Sequence, residues 1–385
     1  MYTIPHAKRF HVRPPMDAKW VIQWYDWLLF LSGGKLYATN DFVFYANWTL
    51  KLLNALAYLL VMFADSFAPT IFDYNEASVV QWLADKVNAL LALSFSVTLT
   101  YYGGQVTQLL EDCLHAVDDA GRKRIREIAS SLSLFCLLMI LAIAITGMVL
   151  DSQTVRESSS DRTAQLVMGA VLTGFISVNS WFNNAMILYV IFILTLIHGE
   201  GSQLKKMSVV LTTPGRMDST MVQQMLSQRK HTQFLVSEIN RLIGFCPLFM
   251  FGFMFILTPA VISDIREDPD VVGVVMFTIF LVTSFAAIIY LLTVVTWFFR
   301  RAETLSQEVI EQMYSVKDYD AKCQELVREL RVSNIRLTAW YLFDVNSNCF
   351  LSFASAIITF TVLFNQLNIK SQGDAQLIAN ATKST

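Results

Sequence analysis

The sequence predicts an all-α membrane protein with seven transmembrane helices, its N-terminus cytoplasmic and its C-terminus extracellular. Three observations carry this expectation. Of 385 residues, 54% are hydrophobic, 13% aromatic and only 16% charged, too apolar for an ordinary soluble domain of that length. Seven runs are apolar enough to cross the hydrocarbon layer, which takes about 20 residues as a helix for about 30 Å. Finally, the basic residues concentrate in alternate connections, as they do when Lys and Arg stay on the cytoplasmic side.

Residues 1–19 hold Lys8, Arg9 and Arg13 beside Pro14-Pro15 but no apolar stretch ending in small residues, so they do not read as a secretory signal. Residues 21–31 are too short to span and carry Asp26, which suits an interfacial or cytoplasmic helix. The spans lie near 42–66, 80–102, 131–150, 164–198, 243–264, 271–299 and 347–368. Lys35, Arg122, Arg124, Lys205, Arg229, Arg300 and Arg331 typify the 22 basic residues on one side, against Arg156, Arg162, Arg266, Lys370 and Lys383 on the other. This topology is opposite to that of a seven-span receptor with an external N-terminus. The sequon at Asn380 falls in the external tail, and all five cysteines fall in spans or cytoplasmic segments, so no external disulfide is expected.

Two runs outrun the bilayer. The fourth, near 164–198, is about 52 Å long at 1.5 Å per residue, and the sixth continues past Arg300-Arg301 into Leu305, Val309, Ile310 and Met313 at helical spacing. Both should project inward and be buried in protein there. His198-Gly199-Glu200-Gly201 is expected to end the fourth helix, glycine favouring a C-terminal break. Connections are short and no repeat appears, so residues 1–385 read as one membrane domain.

Candidate functional residues follow from this frame. In the last run Thr359, Val362 or Leu363, and Gln366 recur at three- and four-residue spacing, which places them on one helical face. Such a stripe can line a pore or serve as ordinary interhelical glue. Trp82, Asp85 and Asn88 on the second span, Asn179 on the fourth, and Thr258, Asp264 and Thr278 on the fifth and sixth are ligand-site candidates in the outer halves of spans, since a pocket needs a few polar groups among aromatic walls. Asp85 and its neighbour Lys86 suit interfacial snorkelling equally well. Trp181, Asn183 and Asn184 suit helix-helix contact.

Other chemistries find no support. The net charge of −2 and the absence of a basic stripe argue against nucleic acid. The five histidines lack metal-ligand spacing, no Cys-x-x-Cys is present, and the Gly199 region lacks phosphate-loop spacing. Neither an enzyme nor a cofactor site is expected.

The last helix reads Thr359-Phe360-Thr361-Val362-Leu363-Phe364-Asn365-Gln366-Leu367. A Thr-aromatic pair, five mostly apolar residues and a Gln-apolar pair resemble the C-terminal signature of insect gustatory receptors. This chain has Phe360 where that family has Tyr and Leu367 where it has Phe, and Leu342-Phe343-Asp344-Val345-Asn346 is similar to a second family segment. The resemblance covers roughly 338–367. It implies a tastant-gated, weakly selective cation channel, a homo- or hetero-tetramer in the plasma membrane of gustatory neurons, passing monovalent and divalent cations. Gln366 and Leu367 would take the constriction positions, and a helix near 319–343 would join the inner extensions in an intracellular anchor. Its rivals are an odorant receptor with a co-receptor, which shares the fold, and a secondary transporter, which should show repeats and broken helices.

Overall fold

The computed structural model describes residues 18–31, 34–37, 41–63, 79–158, 162–212, 219–267, 271–314, 321–332, 336–346, 348–349, 351–363 and 366. For 142–158, 162–179, 263–267 and 271–277, among others, it describes the backbone alone. The elements are α1 (Ala18–Val21), α2 (Gln23–Leu31), α3 (Asp41–Met62), α4 (Val79–His115), α5 (Asp119–Ser158), α6 (Arg162–Thr212), α7 (Ser219–Leu242), α8 (Phe245–Glu267), α9 (Val271–Tyr314) and α10 (Ala321–Val332). A two-stranded antiparallel hairpin, β1 (Thr338–Ala339) and β2 (Phe343–Asp344), precedes the last helix, α11 (Leu351–Leu363). Among the described residues the fold is all-α, mostly of apolar helices, with a single small hairpin.

Two cores hold the bundle together. The larger draws on α1 to α9 and the hairpin, with Tyr25, Tyr58, Leu110, Ile125, Trp181, Phe192 and Phe253 among its buried side chains. The smaller is built from Leu204 of α6, Val222 and Leu226 of α7, Val309 and Met313 of α9, and Leu326 and Leu330 of α10. Around this second core the exposed positions are mostly polar. Around the first, Leu90, Val97, Tyr101, Leu134, Leu138, Val282 and Ile289 lie exposed, an apolar surface that a watery environment does not favour and a bilayer does.

More helices are overlong than the sequence pattern predicts. At 1.5 Å per residue, the 51 residues of α6 and the 44 of α9 make about 76 and 66 Å. But α4 and α5, with 37 and 40 residues, also run far past the segments near 80–102 and 131–150. The added turns of α4 are polar outside and carry a buried stripe of Val106, Leu109, Leu110, Cys113 and Leu114, and those of α5 bury Ile125 and Ala129. An apolar-run criterion passes over such an amphipathic stretch, although its period is helical.

The break expected at Gly199 is absent. Helix α6 continues through Gly199 and Gly201 to Thr212 because tertiary contacts outweigh the propensity cost, about 1 kcal/mol per glycine. A Cβ built on Gly199 would stand 3.4 Å from that of Ala116, so the glycine lets the α4–α5 turn sit close against α6. Arg122 secures that turn, its Nε donating to the carbonyls of Leu114 and Val117 at 3.2 and 3.0 Å, while Asp118 caps α5 through the Gly121 amide at 2.9 Å.

The helix expected near 319–343 is also different. Helix α10 ends at Val332, and Leu342 N donates to Ala339 O at 2.9 Å to close a tight turn in the hairpin. Both central residues, Trp340 and Tyr341, have positive φ (49° and 62°), the signature of a type I′ turn. Asn-Gly is the usual signal for such a turn and is missing here, so nothing in the sequence opposed the longer helix that the resemblance implied.

Candidate functional site

Helix α11 is amphipathic in an unusual sense: one face is aromatic and half-buried, the other mixed and open. Phe353 meets Phe251 edge-on and Phe360 lies tilted against Phe255, both partners on α8, with ring centroids 4.8 and 4.7 Å apart, and Ile357 is buried between them. Aromatic pairs of this kind contribute about 0.5–1.5 kcal/mol each beyond area burial. Spacing of 353, 357 and 360 fixes the helix rotation. The opposite face carries Ser355, Thr359, Val362 and Gln366, all exposed, with Leu363 beside them. Thr359 turns its hydroxyl back to Ser355 O at 2.9 Å, leaving oxygen lone pairs toward the open side. Leu367 lies outside the described residues.

The start of α11 is held from below. Asn346 accepts from the Cys349 amide at 2.9 Å, an N-cap, and Val345 N donates to Leu337 O at 2.8 Å. The hairpin in turn sits in the bend between α7 and α8, whose axes differ by 42°. There Thr338 N donates to Asn240 Oδ1 at 2.8 Å, Asn240 Nδ2 donates to Arg336 O at 2.9 Å, and Tyr341 OH donates to Ser237 O at 3.0 Å. Gly244 at the bend is obligatory in shape, since a Cβ there would come within 2.7 Å of Trp340 N and 2.3 Å of Asn240 O. Sequence reading missed this junction, and no local signal marks Asn240 as a backbone mimic.

The ligand-site candidates separate. Asn88 of α4 accepts from Trp181 Nε1 of α6 at 2.9 Å. Trp181 is buried in a nest of Phe95, Phe182, Phe249 and Phe253 at centroid distances of 5.5 to 6.5 Å. This Trp-Asn pair ties α4 to α6 within an aromatic wall, which is helix-helix contact in the sense expected for Trp181. Thr258 is buried and spends its hydroxyl on Met254 O at 2.7 Å, while Thr278 is exposed. The side chains of Trp82, Asp85, Asn179 and Asp264 lie outside the described residues.

Comparison with solved structures decides the fold. The insect olfactory receptor OR5 from Machilis hrabei, in complex with eugenol, superposes with a TM-score of 0.65 over 91% of this chain and 98% of that one, at 11% identity. A second structure of the same receptor gives a TM-score of 0.65 over 91% of this chain and 100% of that one, at 10% identity. This chain has the insect olfactory receptor fold. At such low identity the likeness is one of architecture. No family model matches the sequence, and no curated protein matches it.

Within that fold the elements gain positions. The hairpin lies between α10 and α11, so the last helix is entered from the junction with α7 and α8, not from a continuous anchor helix.

Proposed function

We propose that this chain is a subunit of a small-molecule-gated cation channel of the insect odorant and gustatory receptor superfamily. It spans the membrane seven times with its N-terminus inside, as a tetramer in which four copies of α11 surround one pore. The observation that carries the reading is the open face of α11. Ser355, Thr359 and Gln366 are exposed on one face of a mostly apolar helix, and hydroxyl and amide groups are disfavoured against lipid tails. Four copies facing one another would place these groups in water. A ring of Gln amides offers neutral dipoles to a passing cation, while Val362 and Leu363 supply apolar constrictions that close by dewetting.

The smaller core of α6, α7, α9 and α10 serves as the intracellular anchor between subunits. Ligand opens the pore by binding the open state more tightly than the closed one, since equal affinity shifts nothing. The Thr359-Phe360 to Gln366-Leu367 pattern favours a gustatory receptor that answers to a sugar or bitter tastant in the plasma membrane. The olfactory receptor likeness favours a second reading, an odorant receptor subunit working with a co-receptor.

Expression of the chain alone, with perfusion of sugars, bitter compounds and volatile odorants during current recording, separates the two. A tastant-evoked current from the chain alone supports the gustatory reading. A current that needs a co-receptor supports the olfactory one. Substrate accumulation without any current would overturn both.

A further inference from the structure

One cavity of ligand size is lined by none of the ligand-site candidates. It opens between α9, α10 and the hairpin, with a volume of about 510 Å³, within the range of small-molecule sites at about 300–1,000 Å³. Its charged walls are Arg229, Arg300, Arg331, Arg336, Glu303 and Asp344. Glu200 neutralises buried Arg229, and Asp344 lies 3.2 Å from the Arg336 guanidinium. Arg300, Arg331 and Glu303 share the same wall; among the described residues neither arginine is in an ion pair, and the Arg331 guanidinium lies 5.7 Å over the Tyr314 ring. Burial lowers Arg229 to about 10, since a charged group loses hydration there.

Depth in the fold sharpens the chemistry. On α9 the exposed surface changes at this level from Val282, Ile289 and Tyr290 to Arg300, Arg301 and Glu303, with Trp297 exposed at the change and the Arg301 guanidinium 5.3 Å from its ring. Trp followed by Arg is the usual mark of the headgroup layer. We propose that this cavity binds a polyphosphorylated anion, supplied either by a lipid headgroup of the adjoining leaflet or by a free inositol polyphosphate. Arginine suits this role because its planar fork takes phosphate oxygens in pairs. One phosphate would leave most of the volume empty, whereas a ring bearing several can reach Arg300 on α9, Arg331 on α10 and Arg336 at the hairpin together. The occupant would thereby bridge the anchor to the segment that enters α11. The site itself stands on its own geometry; the lipid source rests on the membrane reading above.

The test uses the full chain in phosphatidylcholine nanodiscs, titrated with inositol hexakisphosphate by calorimetry. In a second arm, proteoliposomes of phosphatidylcholine doped with phosphatidylinositol 4,5-bisphosphate are extracted and the retained lipid is counted by native mass spectrometry. Saturable binding is expected in at least one arm, and the arm that binds identifies the source. Loss of two charge-assisted contacts in R331Q/R336Q should weaken binding about tenfold or more, with R331K/R336K intermediate. R300Q alone, a change at an exposed position, should weaken it in the same direction, and Arg124→Gln, outside the cavity on α5, should leave it unchanged. No saturable binding in either arm, or an equal loss with Arg124→Gln, overturns the proposal. Binding is read without any current, so failure of the channel reading would not be mistaken for failure of this one.

Discussion

The side-chain amide of Asn240 pairs with the hairpin as a strand would, accepting from Thr338 N at 2.8 Å and donating to the Arg336 carbonyl at 2.9 Å. One residue of α7 thus satisfies two backbone groups of the segment that leads to α11. Asn240→Ala strands both, and an unsatisfied buried group costs about 1–3 kcal/mol. Thermal unfolding in nanodiscs should show that loss. Gly244→Ala should be worse, because the new Cβ must displace the hairpin backbone at Trp340; an unchanged melting temperature for both would remove the junction from this account.

The hairpin turn carries strain that a substitution can relieve. Trp340 holds φ at 49° and stands 47% exposed, so its ring contributes little burial in return. Trp340→Asn, a residue that tolerates left-handed backbone, should stabilise the fold by about 1 kcal/mol. A drop in stability would mean that the ring is covered in the assembled protein.

Near the N-terminus, Asp26 and Lys35 form an ion pair at 3.2 Å with both side chains 4% exposed. Asp26 also accepts from the amides of Leu36 and Tyr37, and Lys35 lies 3.9 Å over the Trp27 ring. Removing one partner of a buried pair costs about 3–5 kcal/mol, because the other charge is left uncompensated. Asp26→Asn should therefore abolish surface expression or lower the melting temperature sharply, whereas Tyr25→Phe, which loses only the bond to Asn184 O, should cost about 1 kcal/mol.

The two faces of α11 predict opposite labelling. In an active channel, Ser355→Cys and Thr359→Cys should react with a hydrophilic thiol reagent and lose current, and buried Ile357→Cys should resist. Gln366→Glu should shift the reversal potential toward divalent cations by adding a ring of charge. Labelling at 357 and protection at 355 and 359 would reverse the assigned rotation of the helix.

Lys230 of α7 and Glu325 of α10 meet at 2.9 Å on the outside of the smaller core. Hydrogen bonding to Lys230 and its charge hold the Glu325 carboxyl below its ordinary range. A depressed carboxylate contributes stability above its unfolded pKa and loses it as pH falls through the lower, folded value. Loosening of α10, read by amide hydrogen exchange, should thus begin only on the acid side of the ordinary carboxylate range and should be absent in Glu325→Gln. Both groups are well exposed, so the effect should be small and shrink with salt.

Apolar composition, helical periodicity and the stripe at 359, 362 and 366 were legible in the chain itself, because each is a local regularity of spacing along one helix. The same rules were blind to the polar turns of α4 and α5, whose buried face appears only once α6 and α7 lie against it. Gly199 shows the reverse error: a residue expected to end its helix instead lies inside it, against Ala116 of the α4–α5 turn. The hairpin lies furthest from sequence reading, since Trp340 and Tyr341 oppose the turn that they occupy, and what holds them there is Asn240, 98 residues from Thr338. Sequence by itself determined that this is a helical, apolar chain with one polar-striped terminal helix. Tertiary structure alone decided which way that stripe faces and what its helix stands on, because rotation and anchoring are set by contacts between residues far apart in the chain.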